Sequence, residues 1–352
     1  MDIFPYLKLM VEKKASDLFF TVGSPVKIKL EGKASPVGKT VLTSELSKAA
    51  AYGIMSESQK KRFEENFECD FAIGLPDGTA RFRVNVFRQR GEVGMVLRLI
   101  PSIIPTLEQL GLPDILAELI NHKRGLILMV GATGSGKSTT LAAMLNHRND
   151  TMSGHILTIE DPVEFSHPNK KSIINQREVG VDTLSYRNAL KSSLREAPDV
   201  ILIGEIRDRE TMEAAMELSN TGHLAVSTLH ANNSNQAMER VINLFPQDLH
   251  KQLFMDLSLN IRAVISQRLV TGVDGKRCAA IEIMINTPHI SELILKGEID
   301  ELKVAMQESG QRGMQTFDMA LYDLYHEGRI ELEEALNNAD SRSNLEAKIN
   351  FG

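Results

Sequence analysis

Residues 125–141 read Gly125-Leu126-Ile127-Leu128-Met129-Val130-Gly131-Ala132-Thr133-Gly134-Ser135-Gly136-Lys137-Ser138-Thr139-Thr140-Leu141. The apolar run ending at Val130 predicts a buried strand, and the segment from Thr139 to Leu145 predicts a helix. Between them, Gly131 to Ser138 match G-x-x-x-x-G-K-[ST], a phosphate-binding loop in the strand–loop–helix setting that such a loop requires. Gly131, Gly134 and Gly136 leave space for backbone N–H groups to point at phosphate oxygens, and the following helix turns its positive end toward the same anion. Lys137 can reach the outer phosphates and Ser138 can ligate Mg²⁺. Ala132, Thr133, Ser135 and Thr139 complete the cradle. A nucleoside triphosphate is the expected ligand.

Outward from this loop, 352 residues suit two domains rather than one. Forty Lys and Arg against 46 Asp and Glu leave a net charge of −6, so a chain-wide basic field for nucleic acid is absent. Cys69 and Cys278, far apart, build neither a disulfide framework nor a four-cysteine zinc site, which fits a reducing compartment. The first residues carry Asp2, Lys8, Glu12, Lys13 and Lys14 and no long apolar stretch, so no signal peptide is readable. No apolar run approaches the roughly 18 residues of a membrane span. A cytosolic protein is expected, its membrane role passing through a partner.

Residues 1–100 read as a small α/β domain. Val26–Leu30 and Phe71–Leu75 predict strands, and Thr43–Tyr52 and Glu57–Phe67 predict helices. After the turn Pro76-Asp77-Gly78-Thr79, Phe82, Val84 and Val86 face one way along an extended run while Arg81, Arg83 and Asn85 face the other. Pro101 to Pro105 break regular structure, so 101–115 is expected to be a linker. Apolar β-branched runs at 125–130, 155–159, 199–203 and 224–229 alternate with amphipathic helices, the pattern of a mostly parallel sheet covered by helices. This α/β core is expected over 116–285, with a helical region over 286–352.

Two acidic clusters follow predicted strands. Asp199-Val200-Ile201-Leu202-Ile203-Gly204-Glu205 delivers Glu205 at a strand's carboxyl end, the edge where ligands bind in such sheets. Glu160, Asp161 and Glu164 close another strand and would repel one another without a cation or positive partner nearby. Either cluster alone is as well read as a solvated strand end; both together beside a phosphate loop favour magnesium and water. His223 and His230 bracket the 224–229 strand and project to opposite faces, so they do not jointly chelate a metal; positioning of the nucleotide is favoured over acid–base chemistry. Arg81, Arg83, Arg88, Arg90 and Arg98 are either a solvated sheet face or charge delivered across a subunit boundary. Spacing does not choose between them.

In order along nearly the whole chain, these features resemble the secretion-superfamily ATPases, and closely the retraction motors of type IV pili. Ala15-Ser16-Asp17-Leu18, the phosphate loop, the acidic box Glu160-Asp161-Pro162-Val163-Glu164 and the Walker B element Gly204-Glu205-Ile206-Arg207-Asp208 carry the resemblance. So do the histidine box, from Thr221-Gly222-His223-Leu224 to Thr228-Leu229-His230, and Gly313-Met314-Gln315-Thr316. The resemblance implies a PAS-like N-terminal domain, a RecA-like ATPase domain with C-terminal helices, a homo-hexameric ring, and ATP with Mg²⁺ as cofactors. It implies that Glu164 polarises the attacking water, that Glu205 supports Mg²⁺ with Ser138 and Glu160 nearby, and that Arg81 and Arg83 approach the nucleotide. The long N-terminal region and cysteine-rich insertion common in assembly motors are missing. Thr287-Pro288 is followed by His289-Ile290-Ser291-Glu292-Leu293 rather than the Ala-Ile-Arg-Asn segment of the main retraction ATPases. That departure, with Glu196-Ala197-Pro198-Asp199 and His230-Ala231-Asn232-Asn233, implies an accessory retraction ATPase that depends on a PilT-like partner. It would act at the inner-membrane pilus platform protein. A subunit that binds ATP without turnover, and a nucleic-acid translocase, are the competing readings. Lys137, Glu164 and Glu205 favour turnover over the first; the acidic balance and lack of Trp oppose the second.

Overall fold

The computed structural model describes residues 1–30 and 32–351. The chain divides into two compact units. The first is Met1–Ile103 with the short segments Val163–Ser166 and Gly180–Asp182; the second is Ile104–Pro162, His167–Val179 and the chain from Thr183 onward.

In the first unit, β1 (Asp17–Phe20), β2 (Pro25–Leu30), β3 (Lys33–Val41), β4 (Glu68–Gly74), β5 (Arg81–Gln89) and β6 (Glu92–Ile100) form an antiparallel sheet of order β3-β2-β1-β6-β5-β4. Helices Phe4–Lys13, Ser44–Tyr52 and Glu57–Asn66 pack with it. Thr43 caps the second helix, and Ser56 with Gln59 closes a reciprocal capping box on the third. Along β5 the expected alternation holds: Phe82, Val84 and Val86 are fully buried, while Arg81 and Arg83 stay half-buried on the other face. Asp17 is buried at the start of β1, where Arg98 donates to it at 2.8 Å across the β1–β6 pair.

The second unit is built on β7 (Gly125–Val130), β8 (Gly154–Glu160), β9 (Ser172–Glu178), β10 (Val200–Ile203), β11 (Leu224–Leu229), β12 (Ile261–Thr271) and β13 (Arg277–Ile285). Their order is β13-β12-β7-β11-β10-β8-β9, parallel throughout except for the β12–β13 hairpin. β7 shows why an unbroken apolar run suits a central strand: Leu126, Leu128 and Val130 join one core cluster and Ile127 and Met129 the other. Within the stretch read as a linker, Leu107 and Leu112 are buried in the second of these clusters. Helices from Pro288 onward close the unit, tied to the hairpin by the paired backbones of Gln315 and Ile283 and by a small core around Phe317 and Leu321. Among the described residues no helix is long and apolar enough to cross a membrane.

Between β12 and β13 lies a buried carboxylate. Glu282 accepts from Ser234 N at 2.7 Å, Ser234 Oγ at 2.8 Å and Ser266 Oγ at 3.1 Å. Burial nonetheless pushes its carboxyl above the ordinary value, with the charge of Asp340 acting the same way. A raised native pKa means that the folded state holds the proton more tightly, so stability falls as pH rises above the unfolded value of about 4.3. Gln keeps the accepting oxygen and never ionises. Glu282→Gln should therefore melt higher than wild type at pH 8, with the gap closing toward pH 4. A lower midpoint at pH 8 would contradict this.

Candidate active site

Because β7, β8, β10, β11 and β12 run parallel, their carboxyl ends share one edge of the sheet. The loop Gly131–Ser138 follows β7, Glu160 closes β8, Glu205 follows β10 by one residue, and His230 follows β11 directly. β12 runs alongside β7, with Ser266 opposite Val130.

The loop's glycines are required by its neighbours. Gly136 takes φ +89° as it opens the helix Lys137–Thr151, and a Cβ there would lie 2.7 Å from Gln267 Nε2. A Cβ on Gly131 would lie 2.5 Å from Ser135 Oγ and 2.6 Å from the Gln267 carbonyl. Lys137 is buried, its ammonium donating to the carbonyls of Gly131 at 2.7 Å and Ala132 at 2.9 Å. Burial holds its pKa below the ordinary lysine value, and the negative charge of Glu205 opposes that drop. Ala132, Thr133, Gly134 and Ser138 are exposed and Thr139 is half-buried, so the loop's outer surface is open. Ser135 Oγ is buried without a hydrogen-bond partner, an orphan hydroxyl inside the cradle.

Glu205 is kept ionised. The hydrogen bond from Arg207 lowers its carboxyl pKa first, and the charges of Arg207, His230 and Lys137 reinforce this against partial burial. His230 Nε2 stands 3.9 Å from the same carboxylate. The backbone around Glu205 is fixed by Thr228, whose Oγ1 donates to Gly204 O at 2.6 Å and whose carbonyl accepts from Ile206 N at 2.9 Å. Tyr186 packs its hydroxyl against Gly204; burial, then the charges of Asp161, Glu160 and Glu205, push its phenol pKa up, so it remains an O–H donor. Glu160 is buried and accepts from Thr158 Oγ1 at 2.7 Å. A groove of about 710 Å³ runs from Asp161, Glu205 and Arg207 outward past Tyr186 and Glu210.

No three or more His, Cys, Asp or Glu side chains among the described residues are grouped to hold a metal. That suits Mg²⁺, which keeps its waters and takes one or two protein ligands plus phosphate oxygens, whereas zinc demands a full protein set. The exposed hydroxyl of Ser138 at the end of the loop and an ionised Glu205 have the chemistry such ligands need, and with the orphan Ser135 hydroxyl they fit a Mg²⁺–triphosphate. Glu205→Gln should accordingly raise the Mg²⁺ concentration needed for half-maximal hydrolysis, while an unchanged Mg²⁺ curve would remove Glu205 from the metal's surroundings.

The remaining expected site residues lie elsewhere in the chain. His223 precedes β11 and lies at the opposite edge of the sheet from the loop, about 20 Å away at ~3.3 Å per strand residue. Its Nδ1 lies 3.1 Å from Thr221 Oγ1 and 3.2 Å from the Leu218 carbonyl. Glu164 is exposed on the segment Val163–Ser166 of the first unit, which also carries Arg81 and Arg83. The arginines now separate. Arg98 is held by Asp17 at 2.8 Å and Arg88 by Glu64 at 2.5 Å. The side chains of Arg81 and Arg83 form no hydrogen bond or ion pair among the described residues, though both sit on the polar face of β5. Sequence reading passed over Gln267 and Tyr186. Neither sits in a motif, and only the register of β12 and the packing at Gly204 bring them to this edge.

A family model described as Type II/IV secretion system protein matches residues 3–345. The chain is 54% identical over 353 residues to the type IV pilus ATPase PilU of Pseudomonas aeruginosa, covering 100% of this chain and 92% of that protein. It is 44% identical to the type IV pilus retraction ATPase PilT of the same organism, covering 98% of this chain and 100% of that protein. A crystal structure of the pilus retraction motor PilT with bound ADP superposes with a TM-score of 0.91 at 42% identity, covering 98% of this chain and 99% of that one. The two sheets are those of a secretion ATPase, an N-terminal domain followed by an ATPase domain.

Proposed function

The chain belongs to the type II/IV secretion system protein family, and we propose that it is an ATP-hydrolysing motor that powers type IV pilus retraction, in the accessory role of a PilU. The observation that carries this is the shared sheet edge. There an exposed Ser138 hydroxyl, the Lys137 ammonium and a Glu205 carboxylate held ionised by Arg207 meet at a loop shaped for phosphate.

Residues 1–100 form the PAS-like domain in this reading, 101–115 the connection, 116–285 the RecA-like ATPase core and 286–352 the C-terminal helical region. The loop's N–H groups and Lys137 bind the phosphates of ATP, with Thr139 and His230 at the margin, while His223 lies too far from the loop of its own chain to touch them. Bound Mg²⁺ would neutralise charge on the transferred phosphoryl group, with Ser138, Glu205 and Glu160 as the residues around it. Glu164 orients the attacking water. Arg81 and Arg83, whose side chains have no partner among the described residues, stabilise charge on phosphates held by a neighbour in a homo-hexameric ring. The ring works in the cytoplasm against the inner-membrane platform protein, together with a PilT-like ATPase.

Phosphate release by the purified chain, with and without Mg²⁺, tests the enzymatic part. Mg²⁺-dependent turnover supports it. ATP binding without turnover would instead support a subunit that reinforces another motor, and salt-sensitive DNA binding would favour a translocase.

A further inference from the structure

Three consecutive residues of β12 each reach a different part of the ATPase unit. Ser266 lies opposite Val130, the last residue before the phosphate loop. Its hydroxyl donates to the Glu282 oxygen that also accepts from the backbone and side chain of Ser234, which opens the helix Ser234–Asn243 just beyond His230. Gln267 points the other way, as strand alternation requires. Its Oε1 accepts from Thr140 Oγ1 at 2.7 Å on the first turn of the loop's helix, and its Nε2 and carbonyl fill the niches left by Gly136 and Gly131. Arg268 then donates to Asn338 O at 2.7 Å and Asp340 Oδ1 at 2.6 Å, with the Asn232 carbonyl at 3.3 Å. Its guanidinium also lies 3.9 Å from the centre of the Phe317 ring. The phosphate loop, the segment after His230 and the C-terminal helices Phe317–His326 and Leu332–Asn338 thus converge on one tripeptide.

Nothing soft separates these contacts. Gln267 and Thr140 are 3% and 1% exposed, so water does not replace their hydrogen bond when it breaks. The glycines bring the loop backbone up against the Gln267 amide and carbonyl, so a shift of Gly136 or Thr140 displaces the amide, and Arg268 shares its backbone. A buried, hydrogen-bonded contact of this kind passes on a change of state because it has few intermediate arrangements.

We propose that Gln267 is a positioning residue for the phosphate loop and that, through Arg268, it couples nucleotide occupancy of the loop to the helices Phe317–His326 and Leu332–Asn338. The inference rests on the loop's being the nucleotide site. It gives the C-terminal helices a part in each cycle: they sense the loop through β12, and whatever they carry moves with it.

Hydrogen exchange of the full chain, with and without saturating ADP, tests this. In wild type, ADP should slow exchange both along the helix Lys137–Thr151 and across 317–340. Gln267→Leu fills similar space without the amide. It should weaken ADP binding about fivefold, the worth of one net hydrogen bond. At saturation it should keep the slowing in the helix but lose it across 317–340. Thr140→Val breaks the same bond from the other side and should reproduce both effects, and the double variant should be no worse than either single one. Arg268→Lys should bind ADP like wild type and lose only the 317–340 response. A full 317–340 response in Gln267→Leu or Thr140→Val overturns the proposal, as does none in ADP-saturated wild type. If wild type fails to bind ADP, the nucleotide reading falls first and takes this coupling with it.

Discussion

Lys137→Ala should reduce ATP hydrolysis by about a thousandfold or more, to the background of the assay. Lys137 is the sole charged residue in Gly131–Ser138. Its ammonium is already held at the loop by two backbone carbonyls, so it needs little reorganisation to meet phosphate. Losing one preorganised donor to developing charge costs about 10²–10³-fold in other enzymes, and a full charge at the transferred phosphoryl group costs more. Alanine also leaves the carbonyls of Gly131 and Ala132 without their donor, so ATP binding should weaken as well. The buried apolar frame from Leu126 to Val130 does not involve the side chain, and the melting temperature should fall only slightly. Phosphate release at saturating ATP, with the melt as control, is the measurement. Turnover equal to wild type would contradict the assignment of the loop.

The second large effect concerns Arg83. Arg81 and Arg83 alone among the arginines first considered on this sheet lie on a strand's polar face without a partner among the described residues; Arg98 and Arg88 are engaged by acids, and Arg90 sits in a turn. If they serve a neighbour's phosphates, Arg83→Ala should cost about 10³-fold or more, as loss of an arginine finger does elsewhere. A ring made only of Arg83→Ala chains should be nearly inactive, and so should one made only of Lys137→Ala chains. Mixed in one ring, the two should regain activity at interfaces that pair an intact loop with an intact arginine. ATPase activity after co-assembly, with co-purification to establish mixing, decides this. No rescue in verified mixed rings would place Arg83's action within its own subunit.

What was legible in the sequence follows the physics of each element. β7, β10 and β11 are buried on both faces and read as unbroken apolar runs, and the loop's chemistry is carried by contiguous residues. β12 and β13 escaped because Gln267, Arg268 and Glu282 interrupt their hydrophobicity, and each polar group is satisfied by a partner distant in sequence. β9 was hidden in the same way by Asn175, Gln176, Arg177 and Glu178. The alternation of β5 showed which way Arg81 and Arg83 face, but only the ion pairs of Arg88 and Arg98 separated them from the rest. His223 and His230 look equivalent as a bracketing pair, yet strand direction sets one beside Glu205 and the other at the far edge.

Pilus retraction in living cells tests the proposed motor most directly. Strains lacking this chain, the PilT-like ATPase or both are compared by the frequency and force of retraction events, with this chain restored as wild type or as Lys137→Ala. Loss of this chain should weaken retraction, wild type should restore it, and in cells without the PilT-like ATPase it should drive none alone. Lys137→Ala should restore less than wild type. Retraction of the same frequency and force with and without the chain would contradict its role as a retraction motor.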